Sequence, residues 1–379
     1  MPNARTLIAG AALTGAAGVA ALRLPVFGGT PTGERLDRMQ RSPQWRDGRF
    51  RNALPTLSAG DGGSIWEWFF GDKSLRRPQQ PVSIVPRTAS DFEPPSACRL
   101  SWLGHATTLV EIEGRRFLID PVFGESAAPS RAFGVRRFHA PPLALEDVPA
   151  LDAVVLTHDH YDHLDYHAVR SLAGRVPLWI CPLGVGAHLE RWGVPAERVV
   201  ECDWWERVEV GDLEVVCTPA RHFSGRSLGD RDRTLWSGWA FVGREHRVYA
   251  TGDGGYGPHF LEVGERLGPF DATLAEVGAY DGGWADIHMG PEQAVRAVRD
   301  ARGGLLVPVH WGTFSLAFHG WTEPAERVLE AARASRVPVA VPRPGESVEP
   351  GAPPPTERWW PEIPWRTALE APIVSSGIG

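Results

Sequence analysis

The residues of this 379-residue chain best suited to chemistry are concentrated at 158–163, where the sequence reads HDHYDH. Three imidazoles and two carboxylates fall within six positions, directly after the apolar run AVVLT at 153–157. In a loop, residues two apart can point the same way, so His158 and His160 can share one cation while Asp162 and His163 turn toward a second. Imidazole with carboxylate is the ligand mix that zinc and similar borderline divalent metals prefer, and a catalytic site keeps one position open for water. Three later residues, His222, Asp253 and His310, each follow an apolar, strand-like run. Singly, a histidine after a strand or an aspartate before glycine is an ordinary structural or turn residue. Their recurrence at one architectural position makes five histidines and two carboxylates, enough for two metals with a bridging carboxylate.

The elements that must position these residues are legible from periodicity. RLSWLGHATTLVEI and RRFLIDPVF, joined by Glu113-Gly114, read as strands in a hairpin. Further strands are predicted at 153–157, 178–181, 213–218, 238–242, 247–250 and 305–309. Helices are predicted at 163–172, 184–192, 291–301 and 323–334. This interleaving fits an α/β protein whose sheets are covered by helices, and periodicity alone leaves a layered sandwich and a single doubly wound sheet open.

Around this core, residues 98–345, lie three extensions. Residues 1–30 contain LIAGAALTGAAGVAAL, uncharged and flanked by Arg5 and Arg23, which reads as a short membrane anchor or, alternatively, an export signal cleaved near Ala21. Residues 31–97 are rich in Pro, Arg and Gly and read as an arm wrapped on the core. Residues 346–379, Pro- and Trp-rich, read as an extended strap. A net charge of −7 gives no global attraction for nucleic acid. Cys98, Cys181, Cys202 and Cys217 form no C-x-x-C pair and are expected as buried free thiols. Among the sixteen tryptophans, Trp204, Trp205, Trp236 and Trp239 are candidates for an acyl groove or headgroup contact, against the commoner role of core residues.

The order H-x-H-x-D-H, His, Asp, His is similar to that of the metallo-β-lactamase superfamily, which implies a four-layered αββα sandwich with two zinc ions at one edge. More narrowly, WLGHAT at 102–107, DPVF at 120–123, GDGGY at 252–256 and HWGTF at 310–314 resemble the N-acyl-phosphatidylethanolamine phospholipase D branch. The similarity runs over residues 99–344, and Gly254 departs from the threonine usual there. The resemblance implies His158, His160 and His222 on one zinc, Asp162, His163 and His310 on the other, and Asp253 bridging. Two such cations acidify a shared water and neutralise a phosphodiester oxygen, without a serine or cysteine nucleophile. His288, within DIHMGPE, resembles a substrate-proximal segment of that branch and is the candidate to protonate a leaving group or bind phosphate. Asp159, Tyr161 and Tyr256 are the reserve candidates for the acid. Asp120 is expected to orient a metal-binding histidine and His105 to support the site or pack on the sheet, while Tyr256 and Trp311 are candidate pocket walls. The expected function is a membrane-associated dinuclear-zinc phosphodiesterase acting on a phospholipid. A lactonase or other ester or amide hydrolase on the same metals, and a non-catalytic metal-binding scaffold, are the alternatives.

Overall fold

A computed structural model describes residues 24–57, 71–130, 134–227 and 229–376. The apolar run at 7–22, and Trp66 and Trp68 of the arm, lie outside them. The arm opens with α1 (Gly33–Gln40) and a short hairpin of β1 (Trp45–Arg46) and β2 (Arg49–Phe50).

The hairpin read from the sequence is present as β3 (Cys98–Gly104), β4 (Thr107–Ile112) and β5 (Arg115–Ile119). After a small pair, β6 (Ser126–Ala127) and β7 (Val135–Arg136), the chain continues through β8 (Ala153–Val155), α2 (Tyr166–Leu172), β9 (Trp179–Pro182), α3 (Gly186–Arg191) and β10 (Val199–Cys202). These strands make a seven-stranded sheet in the order β10-β9-β8-β5-β4-β3-β17, closed at its far edge by β17 (Ser347–Val348). The second sheet has six strands in sequential order: β11 (Arg207–Val210), β12 (Leu213–Thr218), β13 (Gly238–Val242), β14 (Arg247–Ala250), β15 (Phe270–Glu276) and β16 (Gly303–Val309). Its helices are α4 (His259–Leu267), α5 (Pro291–Asp300) and α6 (Glu323–Ser335).

Side-chain alternation along the strands makes the layers, because successive residues face opposite sides of a sheet. Phe117, Ile119, Ala153, Val155 and Ile180 face inward and meet Val215, Cys217, Trp239, Phe241, Val248 and Leu274 of the second sheet in one core. Leu118, Val154 and Trp179 face outward and are covered by Val169 and Leu172 of α2 and Leu189 of α3. Val216, Ala240 and Tyr249 face out on the other side, against Phe260 and Val263 of α4 and Ala297 of α5. The result is helix, sheet, sheet, helix, the αββα sandwich expected.

The structure corrects several details. Strands β10, β11, β15 and β17 and helix α4 were not predicted. In β15, FDATLAE, two alanines and a strand buried along most of its length leave no clean alternation. Helix α4 starts after Pro258 and carries Gly264 in its interior, both weak helix signals. Helix α2 begins only at Tyr166, because residues 158–164 are held as a loop and Asp165 caps it, accepting the His167 amide at 2.8 Å. Trp204, Trp236 and Trp239 are buried core residues, while the half-buried Trp205 shares with Trp204 a groove lined by Leu54, Pro219 and Leu261. Trp311 stacks on Trp102 at 5.6 Å between ring centroids, with Trp359 and Trp360 of the tail against it, so it joins tail to core. The four cysteines are buried and free.

Trp239 ties the inner core to the chemistry: fully buried, it donates its indole N–H to the carbonyl of Leu156 at 2.8 Å, just ahead of the HDHYDH loop. Trp239→Ala is expected to lower stability by about 3–5 kcal/mol, read as a shift in the urea midpoint.

Candidate metal centre

Every residue singled out for metal binding sits just past the carboxyl end of a strand, and those ends lie at one edge of the two sheets. β5 and β8 are parallel, as are β14, β15 and β16, and β12 runs the same way as β14 because β13 is antiparallel to both. The 158–163 loop leaves β8, His222 follows β12, Asp253 follows β14 and His310 follows β16. Asp120, after β5, His105, after β3, and His310 all have positive φ, 42°, 52° and 65°. Non-glycine residues held there cost roughly 1–3 kcal/mol each, a strain that concentrates at functional sites. Here it turns each side chain back across the edge.

All seven expected ligands converge. The ring nitrogens of His158, His160 and His222 lie within 4.8 Å of one another, His158 Nε2 being 2.8 Å and His222 Nε2 3.3 Å from His160 Nδ1. A second group joins Asp162, His163 and His310 within the same 4.8 Å, together with His105. Between the groups, Asp253 Oδ2 is 3.0 Å from both His163 Nε2 and His310 Nε2 and 4.0 Å from His222 Nε2.

Three observations fit a pair of cations here. First, His163 Nε2 and His310 Nε2 are buried without an aligned hydrogen-bond partner, although carboxylate oxygens stand close by. Buried polar atoms are normally paired, and these two point at the space a cation would fill. Second, burial, with neighbouring imidazoles, holds His158 and His222 well below the usual histidine range and takes His160 down to about 4, so they present neutral lone pairs. Third, burial is outweighed at His163 by Asp253, Asp162 and Asp120, and at His310 by Asp253 and Asp162, so that His163 rises well above the usual range and His310 to about 10. The carboxylates demand positive charge at the point where a metal would supply it.

The outer contacts fix the tautomers, as metal-binding histidines require. Asp120 Oδ2 accepts from His163 Nδ1 at 2.7 Å, and Asp120 also accepts the Thr157 amide at 2.8 Å and hydroxyl at 2.6 Å. His222 Nδ1 donates to the Ile287 carbonyl at 2.8 Å, turning Nε2 inward. His105 is no sheet-packing residue: its Nε2 lies 2.9 Å from Asp162 Oδ2.

The reserve acids are excluded by their contacts. Asp159 turns out of the site to accept the Gly225 amide at 2.7 Å and the Thr234 hydroxyl at 2.9 Å. Tyr161 donates to the Arg226 carbonyl at 2.6 Å, and Tyr256 bonds Asp300 and packs on Phe260. His288 does reach the site, its ring 5.0 Å from that of His222 and 5.4 Å from that of His310.

Sequence reasoning missed two features. Glu276, the last residue of β15, is fully buried, bonds His288 Nδ1 through Oε1 and accepts the Gly254 amide through Oε2 at 2.7 Å; burial pushes its carboxyl up to about 7. The second is a clamp on the rim. Asn52 of the arm accepts the His222 amide at 3.1 Å and donates to its carbonyl at 2.8 Å. Arg221 pairs with Asp286 at 3.1 Å and bonds the carbonyl of Pro55, while Asp286 accepts the amides of Leu57 at 2.9 Å and Ser376 at 2.6 Å. The contacts that define it run between arm, site and tail, so Asp286, though part of the DIHMGPE segment, could not be paired with the arm from sequence alone.

A β-lactamase superfamily domain matches residues 115–311, just over half of the chain and from β5 through His310. The chain belongs to the metallo-β-lactamase superfamily. An uncharacterized protein of Mycobacterium tuberculosis is 50% identical over 333 residues, covering 85% of this chain and 88% of that one. The N-acyl-phosphatidylethanolamine-hydrolyzing phospholipase D 1 of Caenorhabditis elegans is 37% identical over 272 residues, 68% of this chain and 76% of the relative. Among solved structures, an isothiocyanate hydrolase from Delia radicum gut bacteria superposes with a TM-score of 0.53 at 24% identity, covering 66% of this chain and 98% of that one, a likeness of fold. This member of the superfamily is a metal-dependent hydrolase by family, fold and donor set.

Asp120→Ala is expected to free the His163 ring and weaken retention of the adjacent metal by about 10–100-fold. Elemental analysis after mild chelation should then find roughly one zinc-like ion per chain in the variant against two in the unaltered protein.

Proposed function

We propose that the protein is a dinuclear-zinc phosphodiesterase of phospholipase D type, acting on N-acyl-phosphatidylethanolamine-like phospholipids. The observation that carries this reading is the placement of Asp253 Oδ2 3.0 Å from His163 and His310, between two nitrogen-rich clusters, with the Glu276–His288 pair on the same rim. The 37% identity to the phospholipase of Caenorhabditis elegans supports the choice of substrate class. His158, His160 and His222 would hold one cation, Asp162, His163 and His310 the other, and Asp253 would bridge them. When bound, such a pair supplies Lewis acidity toward a phosphodiester oxygen and acidifies water.

The chain's own residues do the rest. Asp120 and the Ile287 carbonyl keep His163 and His222 in the tautomers that offer Nε2 to the site. Glu276 holds His288 through Nδ1, which leaves Nε2 to deliver a proton to the departing alkoxide. The arm and tail, tied by Arg221 and Asp286, close the flank beside His222. Membrane association is proposed for the apolar run at 7–22 within the 1–30 leader; no helix of the described residues is long and apolar enough to cross a membrane.

Turnover of a panel of phospholipids, soluble phosphodiesters and lactones by metal-replete protein tests the reading. Cleavage of phospholipid to phosphatidic acid is expected, and lactone turnover without phosphodiester turnover would overturn the substrate class. Asp253→Ala should leave less than a tenth of the activity. His288→Ala should slow a natural phospholipid by about 10²–10⁴-fold while sparing a nitrophenyl phosphodiester, whose leaving group needs no proton. Removal of residues 1–23 should release the protein from membranes and leave hydrolysis of a soluble phosphodiester unchanged; sedimentation with membranes after that truncation would contradict the anchor.

A further inference from the structure

The metal loop has two faces. His158, His160, Asp162 and His163 face the centre, whereas Asp159 turns the opposite way, onto Gly225 and Thr234, and Tyr161 onto Arg226. On that outer face sits Arg226, a buried guanidinium. Its Nη1 donates to the carbonyls of Asp159 at 2.6 Å and Leu164 at 2.9 Å, bracketing the ligand-bearing stretch. Its Nε and Nη2 donate to the carbonyl of Val26 at 3.2 and 3.1 Å. Its flat faces meet Tyr161 of the loop at 4.1 Å and Trp192 at 5.0 Å from the ring centroids. A buried charge needs its hydrogen bonds met, and a planar fork of donors bonds several acceptors in a fixed geometry, unlike an ammonium. Arg226 therefore holds its acceptors at set positions relative to one another.

Val26 belongs to a strap, residues 24–29, laid over α3 and far in sequence from the loop. The Trp192 indole donates to the Pro25 carbonyl at 2.6 Å. Two glycines make the close approach possible. Gly28 has φ 79°, and a Cβ there would stand 1.9 Å from His188 Nδ1; a Cβ on Gly29 would stand 2.1 Å from the Ala187 carbonyl oxygen. Any side chain at 29 lifts the strap off α3 without touching the metal site.

We infer that Arg226 is a positioning residue for the metal centre, and that through the Val26 carbonyl the strap at 24–29 sets the geometry of the loop carrying His158, His160, Asp162 and His163. The inference rests on the metal-centre reading above. It adds that the chain just after the proposed anchor is part of the site's support, so that the place of an N-terminal truncation matters: a cut before Leu24 spares the centre and a cut after Gly29 does not.

Zinc affinity measured by competition with a chromogenic chelator tests this without activity. Gly29→Val, removal of residues 1–29 and Arg226→Met are each expected to weaken zinc retention by about 10–100-fold, whereas removal of residues 1–23 leaves it at the unaltered value. Because strap and arginine act through one contact, Arg226→Met combined with the 1–29 truncation should lose less than the product of the separate losses. Far-UV circular dichroism of each variant guards against misfolding, and if Arg226→Met does not fold, Gly29→Val and the two truncations decide. Unaltered zinc affinity in Gly29→Val and in the 1–29 truncation, or fully multiplicative losses in the pair, would overturn the inference. Failure of the unaltered protein to bind zinc at all would overturn the metal-centre reading with it.

Discussion

The rest of the molecule answers to one electrostatic constraint, the crowding of buried imidazoles and carboxylates around Asp253. Burial disfavours the charged form of each group, yet Asp162 and Asp253 are held well below the usual carboxylate range, because the attraction of His163 and other imidazoles outweighs their burial. The cluster divides into histidines pushed toward the neutral form and histidines drawn toward the charged form. A set of donors so divided calls for positive charge at its centre, the place divalent cations would fill. The same crowding explains why the outer contacts are so complete. Asp120, Thr157 and the Ile287 carbonyl each remove one orientation that a histidine would otherwise adopt.

The scaffold meets this constraint by topology. Parallel strands deliver their carboxyl ends to one edge, and ligands in α/β folds collect at such ends. Strained backbone at His105, Asp120 and His310 then turns the side chains inward. What topology does not fix is the 158–164 loop, which has no regular hydrogen-bond ladder of its own. It is held from outside, by Asp159 on Gly225 and Thr234 and by Arg226 on two of its carbonyls. The arm and tail serve the His222 side in the same manner, through Asn52 and the Arg221–Asp286 pair.

How much of this was legible in the sequence follows from what is local. The HDHYDH run and the three later ligands could be read because each follows an apolar strand, a signal carried within a few residues. The layered sandwich came from the family resemblance those ligands carry, because the strand pattern alone left a single doubly wound sheet open. Strand β15 was hidden because it is buried along most of its length and contains alanines in place of β-branched residues. Its terminal residue Glu276, which shapes the His288 side of the centre, was hidden with it. Arg226 had no signature in the sequence, and the meeting of Asn52 in the arm and Asp286 in the DIHMGPE segment with the site had none until the fold brought residues some 170 positions apart together, as it does Asn52 and His222. The commoner reading of the tryptophans as core residues holds for Trp236 and Trp239, whose indole N–H groups bond the carbonyls of Ala220 and Leu156 inside the core.

The central claim is that two cations occupy two defined positions around a shared carboxylate, and anomalous scattering at the zinc edge from crystals of metal-replete protein tests it most directly. Two anomalous peaks are expected, one among His158, His160 and His222 and one among Asp162, His163 and His310, about 3.5–4 Å apart as in two-metal sites, with Asp253 reaching both. A single peak, or a peak away from Asp253, would contradict it.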